Sequence, residues 1–193
     1  MKRALWLAAV LGALPAAAQE TSLWGQFDNW EVWVDPTQGN GCFAYVSYDD
    51  GSFFRAGYDN TDGSSHVFFS NPKWKSLAPG STYTIRVYFD PIESYWDSDA
   101  AAQEFDDGML FLRMDTSDPT LMDDVLKAST ARIEFKGEEI ASFDLSGSSR
   151  AINGVFDCQD DPANQGANSD DPFGGTATGD SGGTGPVTDP FAN

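Results

Sequence analysis

The chain has 193 residues, with 30 Asp and Glu against 11 Lys and Arg, a formal net charge of −19. That balance argues against nucleic acid and anionic lipid surfaces as partners, because their phosphates would be repelled. A hydrophobic share of 40%, including 14 Phe, 6 Trp and 6 Tyr, suits one domain with an aromatic core.

In chain order, Lys2 and Arg3 precede an uncharged apolar run from Ala4 to Leu14. Pro15 breaks the run, and Ala16-Ala17-Ala18 supplies the small residues a signal peptidase reads. This is the three-part pattern of a secretory signal over residues 1–18, with cleavage after Ala18. The run falls short of the roughly 20 apolar residues of a membrane-spanning helix, so no transmembrane anchor is expected after cleavage. The expected location is periplasmic or secreted. The mature part divides into a single β-rich domain over 19–158 and a tail over 159–193.

Trp30–Val34 alternates apolar and polar residues, as a half-buried strand does. Cys42–Tyr48 is aromatic and β-branched, and Asp50-Gly51 suggests a two-residue hairpin leading into Phe53–Tyr58. His66–Phe69 is a further short strand. Asn71-Pro72 and Pro79-Gly80 bracket a loop carrying Trp74 and Leu77. Thr82–Phe89 is the clearest strand: Tyr83, Ile85, Val87 and Phe89 share one face, Thr82, Thr84, Arg86 and Tyr88 the other. Asp90-Pro91 ends it. Asp106-Asp107-Gly108 leads into a strand over Met109–Met114.

Asp118-Pro119 reads as a helix start, with Leu121, Met122, Val125 and Leu126 on one face. Arg132–Phe135 and Ile140–Leu145 flank Lys136-Gly137-Glu138 as a hairpin. Ser148–Phe156 has Ala151, Ile152, Val155 and Phe156 at helical spacing, with Cys158 just past it. The sum is a mainly β fold: an antiparallel sheet or sandwich of about eight short strands with two short helices, followed by a disordered tail.

That acidic tail is rich in Gly, Asp and Pro, with no Lys or Arg. Its few large apolar residues cannot offset the entropy of ordering. It repeats Asp-Pro-Phe at Asp171–Phe173 and Asp189–Phe191. Gly179–Gly183 spells the nucleophile signature of trypsin-like proteases, but Ser181 needs a His base and an orienting Asp. The sole His66 lacks the context of such a base, and too little chain follows Ser181 to complete that fold. Asp59–Gly63 is rich in oxygen ligands, yet its spacing fails the EF-hand pattern and suits an Asx turn. No catalytic residue, metal ligand or cofactor is assigned, and the binding residues are unknown.

The two cysteines, Cys42 and Cys158, are an even pair in an exported chain and are expected to form a disulfide. It would close a loop of more than about 100 residues, contributing up to about 4.7 kcal/mol in the chain-entropy model.

The block from Gln19 to Gln159 resembles a group of uncharacterised small exported proteins of alphaproteobacteria. The resemblance is carried by Gly41-Cys42-Phe43-Ala44, Tyr48 with Asp50-Gly51-Ser52, Asn71–Leu77, Gly80 with Tyr83, Phe89-Asp90, Phe143–Ser148, Ala151 and Cys158-Gln159. More distantly it is similar to invasion-associated locus B proteins, small periplasmic proteins linked to host-cell colonisation. The resemblance implies an envelope role and supplies no catalytic residues. The expected function is a non-catalytic envelope-associated module binding a protein or envelope component. The alternative is a small exported hydrolase or a divalent-cation-binding module.

Overall fold

The computed structural model describes residues 20–164 apart from Glu93. The signal segment, Ser181 and both Asp-Pro-Phe copies lie outside the described residues.

Ten strands form one antiparallel sheet: β1 (Ser22–Phe27), β2 (Trp30–Asp35), β3 (Gly41–Ser47), β4 (Phe53–Asp59), β5 (Ser64–Ser70), β6 (Thr82–Asp90), β7 (Tyr95–Glu104), β8 (Leu110–Thr116), β9 (Thr130–Phe135) and β10 (Glu138–Asp144). Two helices, α1 (Thr120–Lys127) and α2 (Ser148–Asp160), complete the fold. The strand order is β1-β2-β3-β4-β5-β8-β7-β6-β9-β10. The mainly β, antiparallel, two-helix architecture is therefore the observed one, with two strands more than expected.

Those two strands are β1 and β7. Gly25 and a register shift between Leu23 and Gly25 interrupt the alternation of β1. After Tyr95 and Trp96, β7 is built from Asp, Ser, Ala, Gln and Glu rather than strand-favouring residues. Its partners hold it instead: Arg86 of β6 pairs with Asp97, and Ala100 and Ala102 are fully buried.

The sheet doubles over so that its two limbs face one another. Phe143 of β10 packs 6.1 Å from Phe54 of β4 and 6.0 Å from Phe69 of β5, ring centre to ring centre. The Tyr48 hydroxyl donates to the Asp144 carbonyl at 2.6 Å, across the same gap. Inward-facing residues of both limbs, among them Val32, Val46, Ile85, Val87, Leu112, Met114 and Ile133, fill the core. α2 packs on β1, β2 and β3, and α1 lies against α2.

The turns follow their residues. Lys136 and Gly137 both have positive φ, 55° and 82°, and form the two-residue turn between β9 and β10. The turn after β3 is longer than a two-residue hairpin: Tyr48 N–H donates to Ser52 O at 3.0 Å, leaving three residues between them. Asp50 caps it by accepting the Ser52 N–H at 2.9 Å, and Gly51 takes φ 81°. In α1 the Asp118 carboxylate accepts the Thr120 N–H at 2.9 Å, which serves the expected capping role.

α2 continues past its expected end, so Cys158 lies inside the helix rather than beyond it. The reason is tertiary. Cys158 bonds to Cys42 of β3 with Cα atoms 6.1 Å apart, and Gln159 accepts the Cys42 N–H at 2.6 Å. Those bonds hold the last helical turn against the sheet, in a stretch whose composition alone suggested the start of the tail. Gly57 allows a similarly close approach: a Cβ there would stand 2.5 Å from the Cys42 carbonyl oxygen.

Candidate functional site

Two places on the sheet concentrate polar chemistry. The first is a groove at the end of the sheet where β5 leaves, β6 begins and β9 turns into β10. The loop from Asn71 to Ser81 arches over it. Asn71 starts the loop by accepting the Lys73 N–H on its side chain, at 3.0 Å, and the Trp74 N–H on its carbonyl, at 2.9 Å. The Tyr83 hydroxyl accepts the Ala78 N–H at 3.1 Å and ties the loop's far end to β6. Beneath this arch is an apolar recess of about 250 Å³. Half-buried Trp74, Leu77, Tyr83, Phe135 and Ile140 form its walls; Ile85 and Leu112, buried in the core, form its floor. Tyr83 and Phe135 meet edge to face, 5.8 Å between ring centres.

A second, more open recess of about 660 Å³ shares Tyr83, Ile85 and Phe135 with the first. Thr82, Thr84, Arg86, Asp97, Glu134 and Lys136 make it polar. A third, of about 270 Å³, lies across Trp74 beside Lys75. Among the described residues every arginine is ion-paired to a carboxylate. Lys73, Lys75, Lys127 and Lys136 make no such pair. Three of these four lysines rim the groove. Along the three recesses four basic side chains, Lys73, Lys75, Arg86 and Lys136, stand against three acidic ones, Asp97, Asp107 and Glu134, whereas acidic residues outnumber basic ones in the chain as a whole.

The second place is the outer face of β3, β4, β5 and β8. Arg55 is buried there, with its guanidinium 3.5 Å from the Phe43 ring centre and 4.6 Å from that of Phe68. It donates to Asp35 and to Gln38, each at 2.9 Å, and to His66 Nε2 at 3.3 Å. Arg113 beside it binds Asp59 at 3.0 Å and Asp115 at 2.7 Å. Burial opposes the ionised Asp35, but hydrogen bonds from Thr37 and Arg55 outweigh it and hold the carboxyl below its ordinary range. Burial lowers the Arg55 guanidinium to about 10, against the raising effect of Asp35.

His66 is fully buried, and burial first, then Arg55 and Arg113, pushes its pKa well below the ordinary value. Its Nε2 accepts from Arg55, so the nitrogen a general base would use is already taken. Its Nδ1 has no hydrogen-bond partner. Asp59 is similarly committed, to Thr61 in its turn and to Arg113, and the Asp59–Gly63 segment is the expected Asx turn. Among the described residues no group of three or more His, Cys, Asp or Glu is placed to hold a metal, and no helix is long and apolar enough to cross a membrane.

The His66 environment sets an acid response. The folded-state pKa is depressed, so the unfolded chain binds the extra proton first and stability rises with pH across that interval. The stability is fully present above about pH 6.5 and is lost as pH falls toward the folded value, at up to about 1.4 kcal/mol per pH unit. Asp35 and Asp59, with lowered values, add their own losses only below about pH 4. Urea midpoints between pH 4.5 and 7 should therefore slope upward in the native protein and flatten in His66→Gln.

Sequence reasoning found Trp74, Leu77 and Tyr83 but not the groove, which needs β6, β9 and the loop together. It missed the Arg55 cluster; the available signal was an Arg alternating with Phe53 and Gly57 on an otherwise apolar strand.

The chain is thus a disulfide-tied, doubled-over antiparallel β protein with an open groove of aromatic residues and lysines at one end. Compared with known proteins, the chain matches no family model, no curated sequence and no solved structure.

Proposed function

We propose that this chain is a non-catalytic module of the periplasm or the secreted fraction, and that it binds a protein or envelope component through the groove under Trp74. The observation that carries the reading is the pairing of half-buried Trp74, Tyr83 and Phe135 with Lys73, Lys75 and Lys136, none of which forms a direct ion pair among the described residues. Recognition sites favour such aromatic surface ringed by a few charged groups. The Cys42–Cys158 bond supports an oxidising destination. The secretory pattern over residues 1–18 supports export.

A photo-crosslinking residue at Ser76, on the groove's rim, tests the reading in the native host. It should yield a discrete adduct, while the same residue at Asn153 on α2 should yield none. The recovered chain should begin at Gln19. Equal labelling from both positions, or a chain retaining Met1 in the cytoplasm, would refute the proposal. Divalent-cation binding predicts saturable heat on calcium titration, and a hydrolase predicts turnover abolished by Ser181→Ala.

A further inference from the structure

We propose that the groove takes an extended, acidic peptide segment, which adds as a strand to the open edge of β6 and inserts one large apolar side chain beneath Trp74. This deepens the binding-module reading and rests on it. β6 pairs with β7 from Thr82 onward, but with β9 only from Ile85. Over Thr82–Thr84 the β9 side is therefore unpaired among the described residues, because β9 has already turned at Lys136-Gly137. Thr82 and Thr84 are exposed. An unpaired strand edge offers main-chain donors and acceptors to any extended chain of matching length.

The two recesses lie on either side of this edge. The apolar one, at about 250 Å³, is below the usual size of a small-molecule site and suits a single Phe- or Leu-sized side chain. The polar one accommodates the alternate side chains of the same strand, which point the opposite way. Lys136 reaches over the Phe135 ring, 4.9 Å from its centre, at one side of the edge; Lys73 stands at the other. Both favour carboxylates on the incoming segment. The free edge of β10 makes the opposite choice, since Glu138, Glu139 and Asp144 are exposed along it and repel an acidic strand.

The probe is the peptide acetyl-Glu-Thr-Glu-Phe-Glu-Thr-Glu-amide, titrated into the full mature chain and followed by amide and indole NMR shifts. Saturable shifts are expected at Thr82, Thr84, Lys136 and the Trp74 indole. Replacing the peptide's Phe by Ala, its Glu residues by Lys, or methylating its central backbone nitrogens should each weaken binding at least about tenfold. The exposed double variant Lys73→Glu/Lys136→Glu should weaken it comparably while leaving the Tm unchanged. No saturable shift up to about 5 mM, or equal binding of the backbone-methylated peptide, would overturn the proposal. Shifts confined to β1 or β10 would overturn it as well. A Ser76 adduct without peptide binding would sink this inference and leave the module reading standing; loss of the adduct would sink both.

Discussion

Cys42→Ala/Cys158→Ala is expected to lose about 2–5 kcal/mol of stability, a large part of the margin of a small domain. The bond joins residues 116 positions apart, from β3 near the start of the domain to the last turns of α2. Cutting it releases that loop in the unfolded chain and raises the entropy lost on folding. It also frees the end of α2, whose other ties to β3 include the hydrogen bond from Cys42 N–H to Gln159. Both sulfurs belong to fully buried residues, so Ser in place of Ala would add the cost of two buried hydroxyls. Urea unfolding of the oxidised protein against the Ala pair measures the difference. A thiol assay on the denatured native chain should find no free thiol. A midpoint unchanged by the double substitution would show that α2 docks without the bond.

Arg55→Met should cost about 3–5 kcal/mol, comparable to the disulfide, although it changes one side chain on the outer face of the sheet. Removing the guanidinium leaves Asp35 ionised and nearly buried with only Thr37 to bind it, and leaves Gln38 and His66 Nε2 without their donor. It also empties the slot between Phe43 and Phe68. Neutralising both partners in Asp35→Asn/Arg55→Met should recover much of the loss, because the isolated buried charge is then gone. The pH slope gives a second readout. Arg55 is one of the groups depressing His66, so in Arg55→Met the loss of the His66 contribution still begins near about pH 6.5 but should end at higher pH than in the native protein and be smaller in total. A loss below 1 kcal/mol would mean that solvent reaches Asp35 and that the pair behaves as a surface ion pair.

Alternation, turn chemistry and composition account for the local part of this fold. β2, β3, β4, β6 and β9 stand where apolar and polar residues alternate or β-branched and aromatic residues cluster, and α1 stands where Leu121, Met122 and Val125 recur at helical spacing. Gly51, Gly108 and Gly137 take positive φ in the turns their neighbours announce. These are local properties, set within a few residues of chain. The remaining features arise from contacts between distant segments. β7 exists because β6 and β8 flank it and supply partners that its Ala and Asp residues do not advertise. α2 reaches Asp160 because Cys42 holds its last turns. Arg55 can be buried only because Asp35 and Gln38, from another strand and its following turn, converge on it. The groove exists because β9 ends opposite Ile85, leaving the first three residues of β6, Thr82–Thr84, with an open edge beneath the Trp74 loop. Each depends on which distant segments meet, and periodicity along one strand carries no record of its neighbours.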